Sequence, residues 1–181
     1  YIYLILLCFL VALAGLHLAT SKQSGSIWIQ NTRIDESIME IVLVHGFGDS
    51  GRRFAPLQRR LTAAGHHCYC PTLTPADARH GIADLAQKLA AYIEAQLPGA
   101  EPFAVIGFSM GCLISRYYLQ QLGGAARASA FFAISGPHQG SWLAYGYPGQ
   151  GCREMRRGSA FLQQLAQSVE ALTPLPLFAY R

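Results

Sequence analysis

The string Gly107-Phe108-Ser109-Met110-Gly111 sets a serine midway between two glycines. It follows directly on an apolar, β-branched run, Phe103-Ala104-Val105-Ile106, and opens a stretch of helical spacing that runs to Leu122. A serine at a tight strand-to-helix turn is lifted above the sheet edge, where its hydroxyl can act as a nucleophile. The turn strains its backbone by about 1–3 kcal/mol. Gly107 and Gly111 remove the side chains that would clash in so tight a bend. The following helix sets its positive end beneath any anion that forms there.

A second string, Val42-Leu43-Val44-His45-Gly46-Phe47-Gly48, ends another short apolar run. Attack of a hydroxyl on a carboxylic carbonyl passes through a tetrahedral oxyanion, which needs preorganised N–H donors. The backbone N–H of Met110 would be one donor and that of Phe47 the other. Gly46 and Gly48 let the backbone approach closely. Backbone amides fill the donor role, so His45 reads as a hydrogen-bonding brace for the loop and not as a base.

The surrounding pattern must bring these strings together. Ile41–Val44, Phe103–Ile106 and Ala130–Ile134 read as buried strands, and residues 66–70, HHCYC, as a short extended segment. Between them lie helical spacings: Phe54, Leu57, Leu61 and Ala64, closed by Gly65; Ile82, Leu85, Leu89, Ile93 and Leu97, closed by Pro98-Gly99; and Met110–Leu122, closed by Gly123-Gly124. A last helix carries Leu162, Leu165, Val169 and Leu172, and PLPLFAYR opens a further strand. Strands alternating with helices imply an α/β fold, a mostly parallel, doubly wound sheet. Right-handed crossovers then put the loops at His45, Ser109 and His138 on one sheet edge, where ligands bind.

On three strings, IVLVHGFGDSG at 41–51, VIGFSMGCLISRYYL at 105–119 and ISGPHQGS at 134–141, the chain resembles the α/β-hydrolase superfamily and, within it, the bacterial lipase and esterase branch. The resemblance covers about residues 40–180. It implies hydrolysis of carboxylic esters, with lipids among the candidate substrates, through an acyl-enzyme. Ser109 matches the nucleophile, Phe47 and Met110 the oxyanion donors, and Gly46, Gly107 and Gly111 the glycines of loop and elbow. Transfer of the acyl group to an acceptor other than water shares that intermediate. A non-catalytic binding protein that kept the elbow is the reading from another class.

The superfamily orders its triad Ser, then Asp or Glu, then His. After Ser109 the chain has Glu154, Glu170 and the single histidine His138, and no histidine follows either glutamate. The expectation is a sequence truncated at its C-terminus, lacking its last strands and, as it stands, nearly inactive. His138 could serve as base, brace its loop, or line an acyl pocket. Trp142, with Leu143, Tyr145 and Tyr147, could line that pocket, form a lid, or pack as ordinary loop residues.

Composition excludes other classes. The chain has 181 residues, 51% apolar and only 13% charged, and a net charge of +4 from scattered arginines. That suits a single folded domain and argues against a nucleic-acid partner. No dinucleotide or phosphate-loop fingerprint is present, so no cofactor is expected. His66, Cys68 and Cys70 on one strand face would not close a metal tetrahedron, and no metal is expected. Residues 1–20, YIYLILLCFLVALAGLHLAT, carry no Asp, Glu, Lys or Arg. Their length matches the hydrocarbon layer of a bilayer, so they read as a membrane anchor or a secretory signal, placing the protein at a membrane or outside the cell. Residues 21–38 read as a polar linker with a short strand at Ile27–Ile29, and residues 39–181, by the resemblance, as an α/β-hydrolase core lacking its last strands.

Overall fold

The computed structural model describes residues 38–99 and 101–180. The apolar segment expected at 1–20, and all but the last residue of the linker expected at 21–38, lie outside them. In chain order the elements are β1 (Glu40–Val44), α1 (Ala55–Ala63), β2 (His67–Tyr69), α2 (Ile82–Gln96), β3 (Phe103–Phe108), α3 (Met110–Gln121), β4 (Ala128–Ile134), α4 (Gln150–Glu154), α5 (Ala160–Gln167) and β5 (Leu177–Tyr180). The five strands form one sheet in the order β2-β1-β3-β4-β5. Every neighbouring pair is parallel.

The strands lack polar alternation because both faces of the sheet are covered. Val42, Val44, Val105 and Phe131 fill one face, and Ile41, Leu43, Ile106 and Phe132 the other, all at 0–1% exposure. Ile82, Leu85, Leu89 and Ile93 of α2 are buried on the expected stripe, each worth about 1.5–3 kcal/mol. Gly81 offers α2 no side-chain cap. Instead Glu154, from α4, accepts the N–H of Ile82 through Oε2 at 2.6 Å. A carboxylate at that end is favoured by the helix dipole as well as by the orphan donor it satisfies.

Two local expectations are corrected. Ala64 is exposed and not on the buried face of α1; Phe54 and Leu61 carry that contact at 5% and 2% exposure. The last helix does not run through to Leu172. Backbone torsions of −102° and 16° at Ser168 break it into α5 and a 3-10 turn, Val169–Leu172. Val169 consequently points outward at 51% exposure, while Leu162, Leu165 and Leu172 stay buried.

The chain runs from β1 out to β2 and returns to β3 on the other side of β1. Such a reversal leaves a crevice at the carboxyl ends of the two strands that flank it. Those strands are β1 and β3, in register from Glu40 opposite Phe103 to Val44 opposite Gly107. The His45 loop and Ser109 are the residues that emerge there.

Candidate active site

Ser109 joins β3 to α3 with φ 53° and ψ −122°, a conformation that side chains other than hydrogen rarely adopt. Its N–H donates to the carbonyl of Ile134 at 2.8 Å, and its carbonyl accepts from Cys112 N–H at 3.0 Å. The bend is therefore tied on one side to the end of β4 and on the other to the first turn of α3.

The glycines around it are required by close approach. A Cβ on Gly107 would stand 2.7 Å from the Cα of Cys112, where α3 folds back over β3. A Cβ on Gly111 would collide with the carbonyl oxygen of Val44 and lie 2.7 Å from that of His45. A Cβ on Gly46 would reach to 3.1 Å of the Ser109 Cβ. The loop after β1 thus rests directly against the elbow. Gly48 turns it with φ 66° and donates its N–H to Ala76 at 2.9 Å. Met110 lies in the first turn of α3, where backbone N–H groups have no intrahelical acceptor.

His45 is fully buried beneath this loop. Its Nε2 accepts the N–H of Leu73 at 2.9 Å, and its Nδ1 donates to the carbonyl of Gly46 at 2.9 Å. These partners assign the neutral tautomer with the proton on Nδ1. Both ring nitrogens are spent on holding the loop.

Ser109 opens into a cavity of about 380 Å³ walled by Phe47, Ser135, Pro137, Ser141, Leu143, Ala144, Tyr147, Cys152 and Met155. Its walls are mostly apolar, and none of these groups is a histidine or a carboxylate. A neighbouring cavity of about 460 Å³ shares Ser135 and Pro137 and is lined by His138, Gln139, Ala179 and Tyr180. His138 therefore converges on the same sheet edge but stands one cavity away, with Nδ1 3.4 Å from Nη1 of Arg116. Trp142 is 71% exposed, its ring 5.5 Å from that of Tyr145.

Three features of this edge escaped the sequence reading. Ser135 takes a positive φ of 52° immediately after β4, as Ser109 does after β3, and its N–H donates to Tyr180 at 2.7 Å. Cys152 and Met155 reach the Ser109 cavity from α4 and the residue that caps it, a helix too short for hydrophobic spacing to reveal. Arg116 lies on the buried helix α3 at 8% exposure, donating to the carbonyl of Leu165 at 2.9 Å. Burial holds its guanidinium below the ordinary arginine value. Its charge in an apolar run was the available signal.

Cys112, in the first turn of α3 beside the bend, is core. Its Sγ donates to the carbonyl of Gly107 at 3.1 Å, and burial pushes the thiol up to about 12. Cys68 and Cys70 are half-buried free thiols. Among the described residues no group of three or more His, Cys, Asp or Glu is placed to hold a metal ion, and no helix is long and apolar enough to cross a membrane.

A parallel, helix-flanked sheet with a strained serine at its topological switch point is the architecture of an α/β hydrolase. Residues 41–181 match the alpha/beta hydrolase family, and the chain belongs to it. No curated protein matches the sequence. Among solved structures, a Legionella pneumophila phospholipase in complex with thio-NAD superposes with a TM-score of 0.68 at 19% identity, covering 78% of this chain and 37% of its own. The mature Bacillus licheniformis lipase gives 0.61 at 17%, covering 80% and 66%. Aspergillus fumigatus lipase B gives 0.59 at 19%, covering 72% and 34%. At these identities the likeness is one of fold, and the chain spans between 34% and 66% of those proteins' lengths.

Proposed function

We propose that this protein is a serine hydrolase of carboxylic esters, lipid esters among them. The observation that carries the reading is the strained Ser109 at the mouth of an apolar cavity, with the Gly46 loop against its Cβ. Ser109 Oγ attacks the ester carbonyl carbon and passes its proton to a histidine. The N–H groups of Phe47 and Met110 hold the oxyanion. The C–O bond to the alcohol then breaks, the histidine returns the proton to the leaving alkoxide, and water releases the acid from the acyl-enzyme by the same steps. The apolar walls of the cavity suit an acyl chain.

The histidine and its carboxylate are assigned to residues outside those described. No such group walls the Ser109 cavity, His45 is committed to Leu73 and Gly46, and His138 faces Arg116. Residues 1–20 are read as an anchor or export signal for a core beginning near residue 39. The lipase names among the structural neighbours favour an ester substrate over other hydrolase substrates.

Labelling with a fluorophosphonate, followed by peptide mass spectrometry, tests this reading on the protein expressed from its natural reading frame. The adduct is expected on Ser109 and absent in Ser109→Ala. A protein that never labels is a binding module. A protein that labels but passes the acyl group only to added alcohol is a transferase.

A further inference from the structure

Four large apolar side chains stand in water beside the Ser109 cavity: Trp142, Leu143, Tyr145 and Tyr147 are 71%, 79%, 49% and 56% exposed. Single exposed apolar residues need no explanation, but a contiguous group does. Leu143 and Tyr147 also wall the cavity, so the group forms part of its rim.

The exposure is built. Trp142–Tyr145 form a 3-10 turn whose cap, Ser141, accepts the N–H of Leu143 at 3.2 Å. The N–H of Ser141 donates to Met155 at 2.8 Å, and Nε of Arg156 donates to the carbonyl of Ala144 at 3.3 Å. The turn is thus held with Ala144 buried and Trp142, Leu143 and Tyr145 outward.

Cations accompany the rings. The guanidinium of Arg156 lies 5.0 Å from the Tyr145 ring centre, and that of Arg157 lies 5.5 Å from the Trp142 ring centre. Glu154 is the one acid in the sequence between Glu101 and Glu170. Its carboxylate turns away to Ile82 N–H and to Gln150 at 3.0 Å. The surface is therefore aromatic and cationic, with no carboxylate of its own segment to balance it.

We propose that this rim docks onto an anionic bilayer surface. Trp and Tyr side chains favour the headgroup level, with the ring in the apolar boundary and the polar atom in water. Arginines beside them meet anionic headgroups, each contributing a factor of about five in affinity near the surface. A zwitterionic surface would use the rings but, with no net negative potential, gain little from the two arginines. A second copy seated across a two-fold axis would set like charges against each other. The inference goes beyond ester hydrolysis and does not require it.

The test uses the chain with Trp28→Phe, which leaves Trp142 as the sole indole among residues 1–181. Its fluorescence is followed against vesicles of phosphatidylcholine with about one third phosphatidylglycerol, the acyl chains brominated. Expected are a blue shift and quenching of Trp142, both weakened by high salt and by pure phosphatidylcholine. Arg156→Gln with Arg157→Gln weakens binding about 25-fold, and Arg157→Gln alone about 5-fold, the single variant sparing the bond to Ala144. Lysine at both positions restores it. Sedimentation with vesicles while Trp142 stays unquenched would mean that residues 1–20 alone hold the membrane, and would overturn the proposal. Equal quenching on neutral vesicles, no loss in the Gln variants, or a vesicle-free dimer dissolved by Trp142→Ser would do the same. No step in the assay is catalytic, so its failure would leave the ester reading standing.

Discussion

Gly46 and Ser109, far apart in sequence, meet so closely that a Cβ on the glycine would stand 3.1 Å from the Cβ of the serine. The contact couples the loop that carries Phe47 to the bend that carries the candidate nucleophile. Any side chain larger than hydrogen at position 46 must push the two apart. Displacements of about 1 Å at a reacting centre cost on the order of 10²-fold in rate. Gly46→Val is expected to slow fluorophosphonate labelling of Ser109 by about that factor. An unchanged labelling rate would show that the loop yields without moving the proposed oxyanion donors.

Ser109 itself is held against its own preference. Glycine adopts a positive φ at no steric cost, so Ser109→Gly releases strain of about 1–3 kcal/mol. The variant is expected to unfold at higher urea concentration than the native chain while losing all labelling. A lower midpoint would mean that the hydroxyl contributes more to the fold than the bend costs.

The brace under the loop is a single imidazole. His45→Ala leaves the N–H of Leu73 buried without its acceptor and opens a void beneath Gly46. The lost bond alone costs about 1–3 kcal/mol, and the void adds to it. Urea unfolding of the variant measures the sum; a change below about 0.5 kcal/mol would contradict the assignment of both ring nitrogens.

Alkali should weaken the fold. Burial raises Cys112 from 9.0 to about 12 and Cys70 from 9.0 to about 11. The Glu40 carboxylate beside it, aided by burial, raises Tyr69 to about 12. Between the unfolded and folded values the unfolded chain binds fewer protons, so stability falls as pH rises. The contribution is intact below about pH 9 and is lost progressively towards pH 12. A melting temperature that declines over this range, and declines less steeply in Cys112→Ala, is the expected record.

Much of this was legible in the chain. The buried strands β1, β3 and β4, the stripe of α2 and the elbow between Gly107 and Gly111 follow from local periodicity and from glycine at fixed offsets. Val169 misled because helical spacing continues past Ser168, while the chain turns there into a 3-10 segment. The short α4 was unreadable because five residues hold too little of a helical period to show one.

Residue types and spacing by themselves determined the parallel sheet and the serine at its edge, because backbone sterics and apolar burial act within a few neighbours. Only tertiary packing decided which groups share a cavity. It brought Cys152 and Met155 to Ser109, set His138 one cavity away beside Arg116, and turned Trp142 outward. Such choices depend on how whole elements are carried across the sheet, and no local stretch of sequence encodes a distance of that kind.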